Sequence, residues 1–134
     1  MMDIILDFDQ TIVVGPYPSM DEIVPGAIEG VKLLKEHGYK IILNTFRADI
    51  GMIPLQNALS FLKQHDIMVD DFYDNKFKPG AFNLKGIPRF NGVPINVKIY
   101  IDDISPGIPK IGNGLIEYVD WERVINAFKK EGLL

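Results

Sequence analysis

The chain has 134 residues, of which 47% are hydrophobic and 24% are charged, a balance typical of one ordinary globular domain and not of a disordered tail. Its formal net charge of -4 disfavours non-specific binding to nucleic acid or to anionic membranes, because both need a basic face. Cysteine is absent, so disulfides, zinc-thiolate sites and thiol nucleophiles are excluded, and any metal must bind oxygen or histidine. The N-terminal stretch resembles neither a signal peptide nor a spanning helix, so a cytoplasmic protein is the default expectation.

Short apolar runs that stop at acidic or polar residues alternate with amphipathic stretches along the chain. Residues 3–8 form the first such run, which predicts a buried strand that ends near Asp7. Glycine and proline crowd residues 13–26 and predict a loop with one turn of hairpin at most. The same criteria predict the elements that follow, which are helices over 27–37 and about 54–64 and strands over 39–46 and 67–73.

A long irregular stretch interrupts this alternation in the second half of the chain. Residues 74–96 are rich in glycine, proline, asparagine and lysine, and the Asn91-Gly92 pair predicts a small hairpin there. A lid, a dimer contact and an idle insertion are equally open interpretations of this stretch. The elements predicted after it are strands over 97–101 and 115–119, then a helix with Asp120 as its N-cap that runs to Lys130.

The order of these elements predicts an α/β fold with one doubly wound, Rossmann-like parallel sheet flanked by helices, in a single domain over 1–134. Ligands bind beyond the carboxyl ends of the strands in such sheets. Three predicted strand ends carry polar side chains, which are Asp7 with Asp9, Thr45, and Asp102 with Asp103. We therefore expect these side chains to share one site.

Carboxylates gathered at one edge of a sheet repel one another unless a cation lies between them. Magnesium prefers such hard oxygen ligands, and a phosphate ester needs its charge neutralised before a carboxylate can attack it. Asp7 is then the candidate nucleophile, Asp9 the acid that protonates the leaving oxygen, and Thr45 a donor to the phosphoryl oxygens. Arg47 is a candidate substrate contact, because a guanidinium can bind phosphate in fork geometry. The plainer alternatives are that the aspartates cap turns, that the Thr45 hydroxyl bonds a local backbone group, and that Arg47 forms a surface salt bridge.

The sequence resembles the haloacid dehalogenase (HAD) superfamily in three motifs that occur in the order found in that family. These motifs are Asp7-Phe8-Asp9-Gln10-Thr11, Thr45 after the second strand, and Asp102-Asp103 after the fourth. The resemblance implies that Asp7 is both nucleophile and magnesium ligand, and that Asp9 gives the metal a backbone carbonyl and acts as general acid and base. It also implies that Asp103 binds the metal directly, with Asp102 as a supporting ligand.

The chain departs from the pattern of this family in two places. Gln10 replaces a frequent glycine, and the lysine of the third motif has four candidates, Lys76, Lys78, Lys85 and Lys98. Lys76 and Lys78 are the better placed of these as substrate-binding residues. The segment between the first motif and the first helix is too short for a helical cap domain, so a minimal cap and an open site are expected. Capless relatives act on large substrates or close the site with a neighbouring subunit, as a homo-oligomer would.

We therefore predict a magnesium-dependent phosphatase that hydrolyses a phosphomonoester, small or macromolecular, through an aspartyl-phosphate. A nucleic-acid end is a disfavoured substrate because of the acidic balance of the chain. A phosphotransferase with the same intermediate and a weakly catalytic binding or regulatory protein stay open. A receiver domain of a response regulator is disfavoured, because a receiver has its adjacent acidic pair after the first strand, whereas here the pair comes late.

Overall fold

A four-stranded parallel sheet forms the centre of the protein in the computed structural model, which describes residues 3–73, 98–112 and 115–134. Its strands are β1 (Asp3–Leu6), β2 (Lys40–Leu43), β3 (Asp71–Phe72) and β4 (Lys98–Ile101). They lie in the order β3-β2-β1-β4, and every neighbouring pair is parallel. The direction of strand addition reverses between β1 and β4, which is where ligands bind in open α/β sheets.

The sheet is flanked by helices, and the predicted α/β, Rossmann-like fold is confirmed. The described residues contain the helices α1 (Ala27–Glu36), α2 (Arg47–Ile50), α3 (Met52–Gln64) and α4 (Trp121–Lys130). The cap predicted for the last helix is also confirmed, because the Asp120 side chain accepts a hydrogen bond from the Arg123 amide at 3.3 Å. Helix α2 was not predicted, since four residues are too few to show a helical period.

Strands β1 and β2 are buried on both faces, as their unbroken apolar runs predict for parallel strands covered by helices. In this register Ile4 lies beside Ile41 and Leu6 beside Leu43, and all four side chains belong to the hydrophobic core. Each fully buried side chain of this size stabilises the fold by about 1.5–3 kcal/mol. The core therefore fixes the height at which both strands end, and with it the position of the residues that follow.

The predicted strand at 115–119 forms, but it does not extend the parallel sheet. It is β6 (Glu117–Val119), which pairs antiparallel with β5 (Lys110–Gly112) in a separate two-stranded sheet. Its prediction as a further strand of the main sheet was wrong, because a parallel neighbour needs a crossover connection, which is usually a helix. Pro106 and Pro109 lie between β4 and β5, where such a crossover helix would have to form.

The Trp121 side chain packs between α4 and α1. The side chain is buried, and its Nε1 donates a hydrogen bond to the Thr11 carbonyl oxygen at 2.7 Å. Gly30 on α1 leaves room for the ring, because a Cβ at this position would lie 2.6 Å from Trp121 Cε3. The close approach of the two helices thus depends on a residue without a side chain.

We expect Gly30→Ala to lower the free energy of unfolding by about 1–2 kcal/mol. The methyl group overpacks a rigid, hydrogen-bonded ring, and the gain in helix propensity offsets only part of that cost. Urea denaturation measures the change. Gly51→Ala is the matched control, since its Cβ would meet Pro54 Cδ at an ordinary 3.8 Å. An unchanged or raised midpoint for Gly30→Ala would show that the ring does not fill this space.

In the part of the chain that the structure describes, no helix combines the length and the apolar character needed to cross a membrane.

Candidate metal and phosphoryl site

Three aspartates from two neighbouring strand ends meet at the reversal of the sheet. Asp7 directly follows β1, and Asp102 and Asp103 directly follow β4. Carboxylate oxygens of the three residues lie within 4.8 Å of one another. Asp7 is 3% exposed and Asp102 is 6% exposed, while Asp103 is half-buried. The structure thus brings together these predicted residues, which we call the aspartate cluster.

Hydrogen bonds orient two members of the aspartate cluster. The Asp7 amide donates to the Ile101 carbonyl oxygen at 3.0 Å, so the end of β1 is tied to β4 just below the cluster. The Thr11 hydroxyl donates to Asp7 Oδ2 at 3.2 Å, and the Ile104 amide donates to Asp102 Oδ1 at 3.1 Å. The rotation of both carboxylates is therefore restrained by their own local chain.

A tight turn at Gln10 carries the chain away from Asp7. Gln10 has φ 61°, a left-handed conformation that costs a non-glycine residue roughly 1–2 kcal/mol. Its amide donates to the Val13 carbonyl oxygen at 2.7 Å, and its own carbonyl accepts from the Val119 amide at 3.0 Å. The turn explains why a glycine suits this position, and the two hydrogen bonds show how glutamine is held there.

Thr45 lies after β2, beside the aspartate cluster, and its side chain is buried. Its Oγ1 accepts a hydrogen bond from the Arg47 amide at 3.2 Å, which begins the short helix α2. The hydroxyl keeps its own hydrogen as a donor. Thr45 therefore lies at the expected edge of the sheet and makes the local backbone bond of the plainer alternative, while its contact with a phosphoryl group stays a prediction.

Arg47 makes a contact that differs from the one predicted for it. Its Nε and Nη2 donate to the two oxygens of Asp9 at 2.9 and 2.8 Å, a bidentate ion pair. The guanidinium carbon lies 4.9 Å from the Phe8 ring centroid and 4.8 Å from that of Tyr17, and Arg47 is 1% exposed. The contact is a salt bridge, as in the plainer alternative, but a buried one and not one at the surface. A direct contact of Arg47 with substrate stays a prediction.

A cavity of about 320 Å³ opens over the aspartate cluster, and we call it the site cavity. Its described lining consists of Asp7, Asp9, Gln10, Tyr17, Thr45, Phe46, Arg47, Ile50, Asp103 and Ile104. A larger groove of about 480 Å³ lies between α1 and α4, but the described residues that line it include none of the predicted site residues. The site cavity is therefore distinguished by the chemistry of its lining residues and not by its volume.

Comparison with known proteins finds no matching family model and no matching curated protein. Among solved structures, the chain is similar to a conserved protein from Bacteroides thetaiotaomicron, with a TM-score of 0.67 and 27% sequence identity. The likeness covers 97% of this chain and 91% of that chain. The α/β fold is therefore shared over nearly the whole length.

The donor set of the aspartate cluster suits a hard divalent cation. All three side chains offer carboxylate oxygens, the ligands that magnesium, calcium and manganese prefer. Two of the carboxylates are buried, where the repulsion between like charges is stronger than in water. A cation among them would remove that repulsion. Asp9 does not join the cluster through its side chain, because both of its oxygens face Arg47.

Some predicted residues lie outside the part of the chain that the structure describes. They are Lys76, Lys78 and Lys85, together with the Asn91-Gly92 hairpin. Lys98 is the first residue of β4, which agrees with its predicted position within the fourth strand. The assignment of the third-motif lysine therefore stays a prediction.

Sequence reasoning missed the apolar part of the site cavity. Phe46 and Ile104 directly follow two predicted site residues, Thr45 and Asp103, and that adjacency was the available signal. Isoleucine and phenylalanine near a strand end are usually read as core, so the pattern by itself indicated packing.

Proposed function

We propose that the protein is a magnesium-dependent phosphatase of the HAD type, which hydrolyses a phosphomonoester through an aspartyl-phosphate on Asp7. The observation that carries this proposal is the aspartate cluster, whose oxygens lie within 4.8 Å of one another and of which Asp7 and Asp103 line the site cavity. Thr45 beside it offers a hydroxyl to the phosphoryl group. The motif resemblance and the position of the cluster at the reversal of the sheet support the same reaction.

Asp7, Asp102 and Asp103 are the side chains that would hold the metal. The backbone carbonyl of Asp9 is the further ligand that the resemblance implies. A bound magnesium ion supplies positive charge that lets an anionic carboxylate approach an anionic phosphate.

Asp7 then acts as the nucleophile. One of its carboxylate oxygens bonds to phosphorus, the bond from phosphorus to the ester oxygen breaks, and the ester oxygen takes a proton from Asp9 to leave as an alcohol. Asp9, now a carboxylate, takes a proton from water as that water attacks phosphorus. The bond from phosphorus to Asp7 breaks, which releases inorganic phosphate and restores both residues. The Thr11 hydroxyl restrains the Asp7 carboxylate throughout.

Arg47 is a positioning residue in this scheme. Both oxygens of Asp9 accept hydrogen bonds from it, so the pair must open at one oxygen before Asp9 can carry a proton to the substrate. Arg47 can keep the second oxygen meanwhile, and the Phe8 and Tyr17 rings keep the guanidinium in place. The pair thus fixes the direction from which Asp9 delivers its proton.

The proposal predicts phosphate release that requires magnesium. Wild type should release phosphate from members of a phosphomonoester panel, and EDTA should stop the reaction. Asp103→Asn should raise the magnesium concentration needed for half-maximal rate by about tenfold or more, because it removes a charged ligand.

Asp66→Asn is the matched control for the magnesium titration. Asp66 is exposed after α3 and has φ 63°, a conformation that asparagine also tolerates. The control should keep the magnesium requirement of wild type. Magnesium-independent release, or no release from any ester of the panel, would contradict the proposed function.

A further inference from the structure

Among the residues that the structure describes, four large hydrophobic side chains line the site cavity and remain exposed. They are Tyr17, Phe46, Ile50 and Ile104, which are 42%, 46%, 57% and 65% exposed, and we call them the apolar rim. Single exposed hydrophobic residues are ordinary on protein surfaces, whereas an apolar surface around a few polar groups is typical of a ligand site.

The apolar rim is assembled from three separate parts of the chain. Tyr17 belongs to the loop after β1, Phe46 and Ile50 lie at the start and the end of α2, and Ile104 lies in the turn after β4. Hydrogen bonds fix the backbones of α2 and of the turn after β4, since the Ile50 amide donates to the Phe46 carbonyl oxygen at 3.2 Å and the Ile104 amide donates to Asp102. Their convergence on one cavity is therefore a property of the fold and not of one irregular loop.

The charges of the cavity point to the same kind of ligand. Among the described residues that line it, the acidic side chains are Asp7, Asp9 and Asp103, and Arg47 is the one cation. Arg47 is 1% exposed and bound to Asp9. A second phosphate or carboxylate on the substrate would therefore find no accessible cation among these residues.

We propose that the site takes phosphomonoesters whose ester group is apolar where it adjoins the phosphate. This inference rests on the proposed function, because it places the phosphoryl group at the aspartate cluster and the ester group against the apolar rim. An aromatic group can pack against the rings of Tyr17 and Phe46, and an aliphatic one against the two isoleucines. Both share the feature that the rim recognises, which is apolar surface removed from water on binding.

Turnover of two esters of primary alcohols, one apolar and one polar, tests the preference. Wild type should hydrolyse hexyl phosphate with a kcat/KM about tenfold higher than glycerol 3-phosphate. Ile50→Ser and Ile104→Ser should each reduce this ratio severalfold. Ile53→Ser is the matched control, since Ile53 is 71% exposed and does not line the cavity, and it should keep the wild-type ratio. Equal kcat/KM for both esters in wild type would overturn the inference while leaving phosphatase activity intact.

Binding of two phosphonates separates this inference from the proposed function, because phosphonates are not hydrolysed. Calorimetry with magnesium should show phenylphosphonate binding about tenfold tighter than methylphosphonate, with the difference reduced in Ile50→Ser and kept in Ile53→Ser. This preference in a protein that releases no phosphate would support the apolar site and overturn the phosphatase. Equal affinities, binding of neither phosphonate, or a rim that proves to be buried in a dimer dissociated by Ile50→Ser would overturn the inference.

Discussion

Asp7→Asn should reduce kcat by at least ~10³-fold while the fold remains intact. The substitution keeps the volume of the side chain but removes the charge and the nucleophilic oxygen. The Thr11 hydroxyl, which donates to Asp7 Oδ2 at 3.2 Å, can donate to the asparagine carbonyl oxygen in the same way. Packing around the buried position should therefore change little.

Two measurements on the same samples check this result. Phosphate release gives the loss of turnover, and thermal unfolding shows whether the variant is folded. Asp66→Asn makes the same chemical change at an exposed site and should keep wild-type turnover. A folded Asp7→Asn protein with wild-type activity would exclude Asp7 as the nucleophile.

Arg47→Lys should have an effect that depends on the leaving group. Lysine keeps the positive charge but loses the fork that holds both oxygens of Asp9. Proton delivery by a positioned acid is worth about 10²–10⁴-fold for a poor leaving group. We therefore expect kcat/KM for hexyl phosphate to fall about 10²-fold. For p-nitrophenyl phosphate, whose leaving oxygen needs no proton, kcat/KM should fall much less. The comparison uses kcat/KM because hydrolysis of the aspartyl-phosphate, which also needs Asp9, contributes to kcat for every ester.

The pattern across the two substrates identifies the role of Arg47. A direct contact with the phosphoryl group would raise KM by a similar factor for both esters, and a purely structural defect would lower both rates together. Asp9→Asn should reproduce the leaving-group pattern in kcat/KM, and the double variant should have a kcat/KM little below that of either single variant, because the two residues act as a unit. Additive losses in the double variant would separate Arg47 from Asp9.

Much of the fold could be predicted because its signals are local. The apolar runs of β1 and β2 and the Asp120 cap of α4 can each be recognised within a few residues of sequence. Strand β5 was missed because its three residues are exposed and carry no periodic pattern. The pairing of β6 with β5 was missed because it depends on which other strand lies within hydrogen-bonding distance and not on the sequence of β6 alone.

Part of the candidate site could also be predicted from the sequence, and part could not. The meeting of Asp7 with Asp102 and Asp103 follows from a topological rule, since both segments end parallel strands at the same edge of the sheet. The direction of the Asp9 side chain follows no such rule. Its partner, Arg47, is the first residue of α2, and tertiary contacts decide whether Asp9 faces a metal or a guanidinium.

The turn after Asp7 is fixed by hydrogen bonds from two residues that lie far away in the sequence. The Val119 amide donates to the Gln10 carbonyl oxygen, and Trp121 Nε1 donates to the Thr11 carbonyl oxygen. During synthesis on the ribosome, Asp7, the proposed nucleophile, therefore emerges long before the residues that fix its turn. A nascent chain contains Asp7 early but completes this turn only once residue 121 has left the exit tunnel, so the proposed activity would not begin before that point.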